Sequence, residues 1–138
     1  LDLTKYRNLF LEEATEHLAE MSRLLLELEK APDAAGAIDG VFRAAHSIKG
    51  MAASLGYDAI TEVSHRLEDR MDECRGAGRV DPRGIEILFR GLENLERMIG
   101  EVRDGGEAPR VDLGLAETVA EETPRPVEEP RKKALPRT

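Results

Sequence analysis

The stretch Ile38-Asp39-Gly40-Val41-Phe42-Arg43-Ala44-Ala45-His46-Ser47-Ile48-Lys49-Gly50-Met51-Ala52-Ala53-Ser54-Leu55 decides how the chain is read. An α-helix turns about 100° per residue. On that wheel Ile38, Val41, Ala45, Ile48, Ala52 and Leu55 form one stripe, with Phe42 on its flank. Such a stripe is a core-facing surface. His46 falls roughly 120° from the middle of the stripe, so its ring is expected to face solvent. Lys49 and Gly50 follow at helical spacing and stand on the same side. The stretch therefore reads as an exposed imidazole on a rigid helix, beside a cation and a missing side chain.

Upstream, the spacing predicts a first helix over residues 3–30. Its apolar positions are Leu3, Tyr6, Phe10, Ala14, Leu18, Met21, Leu25 and Leu28, a sustained helical period. Asp2 or Thr4 is its expected cap. Pro32 stops it, and Asp33 is expected to cap the second helix, which runs to Leu55. Gly56 supplies the left-handed closing conformation there. Asp58 is expected to cap a third helix with Ile60, Val63, Leu67, Met71 and Cys74 as its stripe, ending at Gly76-Ala77-Gly78. Asp81-Pro82 is a strong start for a fourth. Ile85, Leu88, Leu92, Leu95, Ile99 and Val102, with Phe89 at the edge, carry that helix to Gly105-Gly106. Four amphipathic helices with short connections predict an all-α, antiparallel up-down four-helix bundle. The second and third helices are then side by side.

Composition agrees and excludes other classes. Only 4% of the 138 residues are aromatic and Trp is absent, which favours helices over strands. A net charge of -8 and the lack of a basic, aromatic-interleaved stripe argue against nucleic-acid binding. The chain contains no apolar run long enough to span a bilayer and no visible signal peptide. Cys74 is the single cysteine; it lies on an apolar stripe and reads as core, and its solitude fits a reducing cytoplasm. After Asp104 the pattern changes: five of the seven prolines lie between Pro109 and Pro136, and no aromatic follows Phe89. Residues 1–104 are therefore expected to form the bundle and 105–138 a disordered Pro- and charge-rich linker. Val111 to Ala120 is a candidate short fifth helix, weakened by Gly114.

His65 and Glu68 share a face of the third helix. If that helix lies antiparallel to the second, both are candidates to approach His46. A carboxylate accepting the proton of one ring nitrogen leaves the other nitrogen unprotonated and outward-facing, a nucleophile-and-orienter arrangement. Lys49 would offer positive charge to an arriving phosphoryl group, and Gly50 would leave it room. Two other readings stand beside this one. Glu62 and His65 have the Glu-x-x-His spacing of carboxylate-bridged metal bundles, but one copy supplies too few ligands. A plain helical interaction or scaffold bundle accounts for the helices and treats the polar residues as coincidence.

His46-Ser47-Ile48-Lys49-Gly50 resembles the H-x-x-K-G signature of histidine phosphotransfer (HPt) domains. Phe42 to Ala52, Ser64-His65-Arg66-Leu67-Glu68, Phe10 to Ala14 and Leu25 to Glu29 are similar to the amino-terminal phosphotransfer domain of the CheA family of chemotaxis histidine kinases. The likeness covers roughly residues 5–103. It implies that His46 accepts a phosphoryl group from an ATP-binding kinase domain and passes it to an aspartate of a response regulator receiver domain. It implies Glu68 as the hydrogen-bond partner of His46, Lys49 and His65 as polar neighbours, and Gly50 as the clearance residue. No phosphate-binding glycine loop is present, so the fragment is expected to be a monomeric, cytoplasmic carrier without a cofactor of its own. ATP and Mg would be held by the partner kinase domain, and the parent would be a histidine protein kinase.

Overall fold

The computed structural model describes residues 3–105. Within them the chain forms α1 (Leu3–Lys30), α2 (Ala35–Leu55), α3 (Asp58–Ala77) and α4 (Pro82–Gly105). Each helix packs on its neighbours around a ring, α1 on α2, α2 on α3, α3 on α4 and α4 back on α1. This is the expected up-down bundle. The α2–α3 seam is the most extensive of the four. Asp2, the Val111–Ala120 segment and the linker lie outside the described residues.

The stripes read from sequence face a single core. Leu25, Leu28, Val41, Ala45, Ile48, Ala52, Leu67, Met71, Leu95, Ile99 and Val102 are all buried there. A fully buried Leu or Ile side chain contributes about 1.5–3 kcal/mol relative to exposure, so these positions carry the fold. Two glycines permit close helix approach. A Cβ on Gly91 of α4 would stand 2.6 Å from Leu67 Cδ2 of α3, and one on Gly40 of α2 would stand 2.6 Å from Leu24 Cδ1 of α1. Phe10 and Tyr57 meet edge to face at 5.3 Å, pinning α1 to the α2–α3 turn. At the other end Val80 N–H donates to Pro32 O at 3.0 Å, tying the α3–α4 loop to the α1–α2 loop. The Cys74 thiol is in the core, where burial pushes its pKa up. Among the described residues no helix is long and apolar enough to cross a membrane.

Several local expectations need correction. Leu3 and Tyr6 belong to the α1 period but are exposed, as is Leu9; Tyr6 and Leu9 border an open groove shared with Met51 and Leu55 of α2. Leu24, off the expected stripe, is buried against Gly40. Thr4 lies within α1. Asp33 does not cap α2: the N-cap position is Ala34, with no side-chain hydrogen bond. Asp58 does not cap α3 either. It is already helical, with Tyr57 at the N-cap position, and its charge favours the helix through the macrodipole. Asp81 is a true cap, its Oδ1 accepting the Gly84 N–H at 2.7 Å. Gly56 and Gly78 close α2 and α3 at φ 78° and 80°, the left-handed region where a Cβ is strained. Helix α4 ends at Gly105, at the expected Gly105-Gly106 stop.

Candidate functional site

The site lies where α2 and α3 run antiparallel. The closed core seam places Ala45 and Ile48 inward, which rotates His46 outward; its side chain is 62% exposed. On α3, Leu67 and Met71 point to the core, and Glu68 sits at the edge of that stripe with its side chain 10% exposed. From there the Glu68 Oε2 is hydrogen bonded to His46 Nδ1. The Lys49 ammonium stands 2.5 Å from the other oxygen, Oε1. One carboxylate thus joins the imidazole and the ammonium across the two helices.

Burial pushes the Glu68 carboxyl up, but hydrogen bonds and charge from Lys49 and then His46 outweigh it and hold the group below the ordinary carboxylate range. Glu68 is therefore ionised at neutral pH and can only accept hydrogen bonds. The His46 nitrogen facing it must be the donor, so Nδ1 carries the proton. A neutral imidazole with a proton on Nδ1 has its lone pair on Nε2. The geometry accordingly offers an unprotonated ring nitrogen on the exposed side of His46, with a carboxylate behind it to balance positive charge arising in the ring.

The remaining expected residues fall into place with differences. Gly50 is exposed, and a Cβ added to it would meet nothing within 4 Å. The described bundle does not require glycine there, so any demand for clearance comes from a group outside the described residues. His65 is exposed, with its Nε2 3.5 Å from Asp69 Oδ2, one turn along α3. It does not take part in the His46–Glu68–Lys49 cluster. Lys49 was expected beside an incoming group; its visible contact is Glu68. Glu62 pairs with Arg66 at 2.9 Å, and among the described residues no group of three or more His, Cys, Asp or Glu is arranged to hold a metal.

Sequence reading missed two residues at the site. Phe42 lies with its ring stacked near His46, centroids 6.3 Å apart. Arg75 of α3 places its guanidinium 4.2 Å from the Phe42 centroid. The spacing of Phe42 and His46, one helical turn, was the available signal for the first; nothing local pointed to Arg75.

Known proteins are similar to this chain in sequence and in fold. The Hpt domain family model matches residues 5–105. The chain is 38% identical to the chemotaxis protein CheA of Bacillus subtilis over 111 residues, which cover 80% of this chain and 16% of that relative. It thus spans about a sixth of that relative's length. A solution structure of the histidine phosphotransfer domain of CheA superposes with a TM-score of 0.78 at 26% identity, covering 97% of this chain and 99% of that one. The phosphorylated P1 domain of CheA3 from R. sphaeroides, crystallised with CheY6, gives 0.74 at 27% identity over 86% of this chain and 92% of that one. Bundle, sequence and family match agree, and the chain belongs to the Hpt domain family as a CheA-like histidine phosphotransfer domain.

Proposed function

We propose that His46 Nε2 is the phosphoryl acceptor and that the chain carries the phosphoryl group between a kinase domain and a response regulator. The observation that carries this reading is the exposed His46 ring with Nδ1 committed to an ionised, buried Glu68. The Nε2 lone pair attacks the terminal phosphorus of ATP held by a separate kinase domain. The N–P bond forms as the bond to the ADP oxygen breaks, and ADP leaves with that electron pair. The ring keeps its Nδ1 proton and becomes cationic, facing the Glu68 carboxylate. In the second step an aspartate oxygen of a receiver domain attacks the same phosphorus, and the electron pair returns to Nε2.

Lys49 helps hold Glu68 ionised, and in this reading its remaining N–H donors serve a phosphoryl oxygen. Gly50 leaves clearance for that group and for the docking partner, and His65 is a polar neighbour at the rim. ATP and Mg belong to the kinase domain, so this domain is a carrier and its parent a cytoplasmic histidine protein kinase. The CheA3 relative's complex with CheY6 supports a CheY-type receiver as the second partner. Residues 1–104 form the working unit, in keeping with the matched residues 5–105, and 105–138 tether it, raising its effective concentration near the other domains.

The test is incubation of the chain with a CheA-type kinase domain and ATP. Acid-labile, base-stable phosphate on His46, lost in His46→Gln with helical content unchanged, is the expected result. Labelling that survives in His46→Gln overturns the assignment.

A further inference from the structure

Glu68 fixes one edge of the His46 ring, and the ring has a second neighbour with no part in that bond. Phe42 and His46 lie nearly parallel, centroids 6.3 Å apart and planes 10° from each other. That is an offset stack within the usual range for aromatic pairs. Phe42 is held in turn by Arg75, whose guanidinium lies over its ring at 4.2 Å from the centroid, a cation–π contact. Arg75 is itself aimed by two carboxylates. Its Nε is 3.9 Å from Asp39 Oδ1 and its Nη1 is 3.8 Å from Asp72 Oδ1. Asp39 also pairs with Arg43.

Asp39–Arg75 and His46–Glu68 both cross from α2 to α3. They stand about two helical turns apart on either helix, so they are successive rungs of one antiparallel ladder. A one-residue slip of α3 would carry Glu68 about 1.5 Å along the helix and about 100° around it, away from Nδ1. The outer rung is exposed, and exposed ion pairs contribute little to stability. The buried seam beneath already holds the helices together. What the outer rung and the stack act on is the orientation of a side chain that is 62% exposed and would otherwise sample several rotamers.

We propose that Phe42 and Arg75 are positioning residues for phosphotransfer: Phe42 restricts the His46 ring to the orientation in which Nδ1 meets Glu68, and Arg75 holds the Phe42 ring against it. This rests on His46 being the acceptor, and the test separates the two. The 138-residue chain is prepared with ¹⁵N label as wild type, Phe42→Leu, Phe42→Tyr and Arg75→Gln. The ring ¹⁵N shifts of His46 are read without phosphate near pH 8.5, about two units above the ordinary histidine pKa. The same proteins are phosphorylated by a CheA-type kinase domain with ATP. Phe42→Leu and Arg75→Gln move His46 away from the Nδ1–H tautomer and lower kcat roughly two- to tenfold, the range set by one aromatic pair, with KM unchanged. Phe42→Tyr keeps both wild-type values. Wild-type ¹⁵N shifts in Phe42→Leu and Arg75→Gln overturn the proposal, as does a shifted tautomer with an unchanged kcat. A wild-type chain that takes no phosphate sinks the acceptor assignment instead, while the shifts still judge whether Phe42 orients the ring.

Discussion

Replacing Glu68 by alanine removes both contacts that define the site, the hydrogen bond from His46 Nδ1 and the Lys49 ion pair at 2.5 Å. A hydrogen bond to a charged group is worth about 1.5–3 kcal/mol net. The His46 side chain is 62% exposed, so water replaces part of the lost bond and the lower end applies. About 1.5 kcal/mol is close to a tenfold slower phosphorylation. Loss of the counter-charge behind the cationic phosphorylated ring adds to this, up to about 100-fold, as for other residues that orient a reactive histidine. Stability should change far less. Lys49 is already 27% exposed on its side chain and can extend into water once its partner is gone, and the carboxylate's own burial penalty disappears with it. The expected loss is under about 1 kcal/mol. Its pH dependence has a defined sign. Because Lys49 and His46 hold the folded carboxyl below its ordinary value of 4.5, the stabilisation by Glu68 is fully present above that value. It fades as pH falls toward the lower folded pKa, so wild type and Glu68→Ala converge in acid. Single-turnover phosphorylation by a supplied kinase domain, with thermal melts from pH 3 to 8, measures both quantities. An unchanged phosphorylation rate in a folded Glu68→Ala protein would refute the role of the α2–α3 contact.

Gly50→Ala should raise unfolding free energy by about 0.5–1 kcal/mol, since helical glycine is costly and the added Cβ meets nothing within 4 Å. Phosphotransfer should slow in the same variant; a transfer rate equal to wild type would remove the clearance role. Gly91→Ala should instead destabilise by about 1–3 kcal/mol in urea titration, because its Cβ would stand 2.6 Å from the buried Leu67. Equal stability there would mean that α3 and α4 separate at little cost. Removal of residues 106–138 should leave the melting temperature nearly unchanged and phosphate acceptance in trans intact. A marked fall in melting temperature would place those residues in the folded unit.

The sequence made helices and faces legible because one physical rule, the helical period, governs both. Ile48, Leu67, Leu95 and Ile99 stand in the core as that rule requires. The rule does not say which positions a neighbouring helix covers: Leu3 and Tyr6 keep the period yet remain exposed. C-caps were legible from glycine, as Gly56 and Gly78 show, but N-caps only where an acidic side chain sits at the capping position itself, as Asp81 does. Asp33 lies one residue early and Asp58 one residue late relative to Ala34 and Tyr57. At the site, His46 and Glu68 could be placed on facing helices, but their meeting depends on the register between helices, which local spacing does not encode. The same is true of Arg75 over Phe42. Arg70, only 1% exposed beside the Leu67–Met71 stripe, shows the limit most plainly: hydropathy places an arginine outside, and only its tertiary surroundings place it inside.

Glu68 occupies Nδ1 of His46, which leaves Nε2 as the proposed nucleophile. Phosphorus–nitrogen NMR of the phosphorylated, ¹⁵N-labelled chain tests that assignment most directly. Phosphorus should couple to Nε2 of His46 while Nδ1 remains protonated and bonded to Glu68. Phosphorus on Nδ1, or on any residue other than His46, would contradict it.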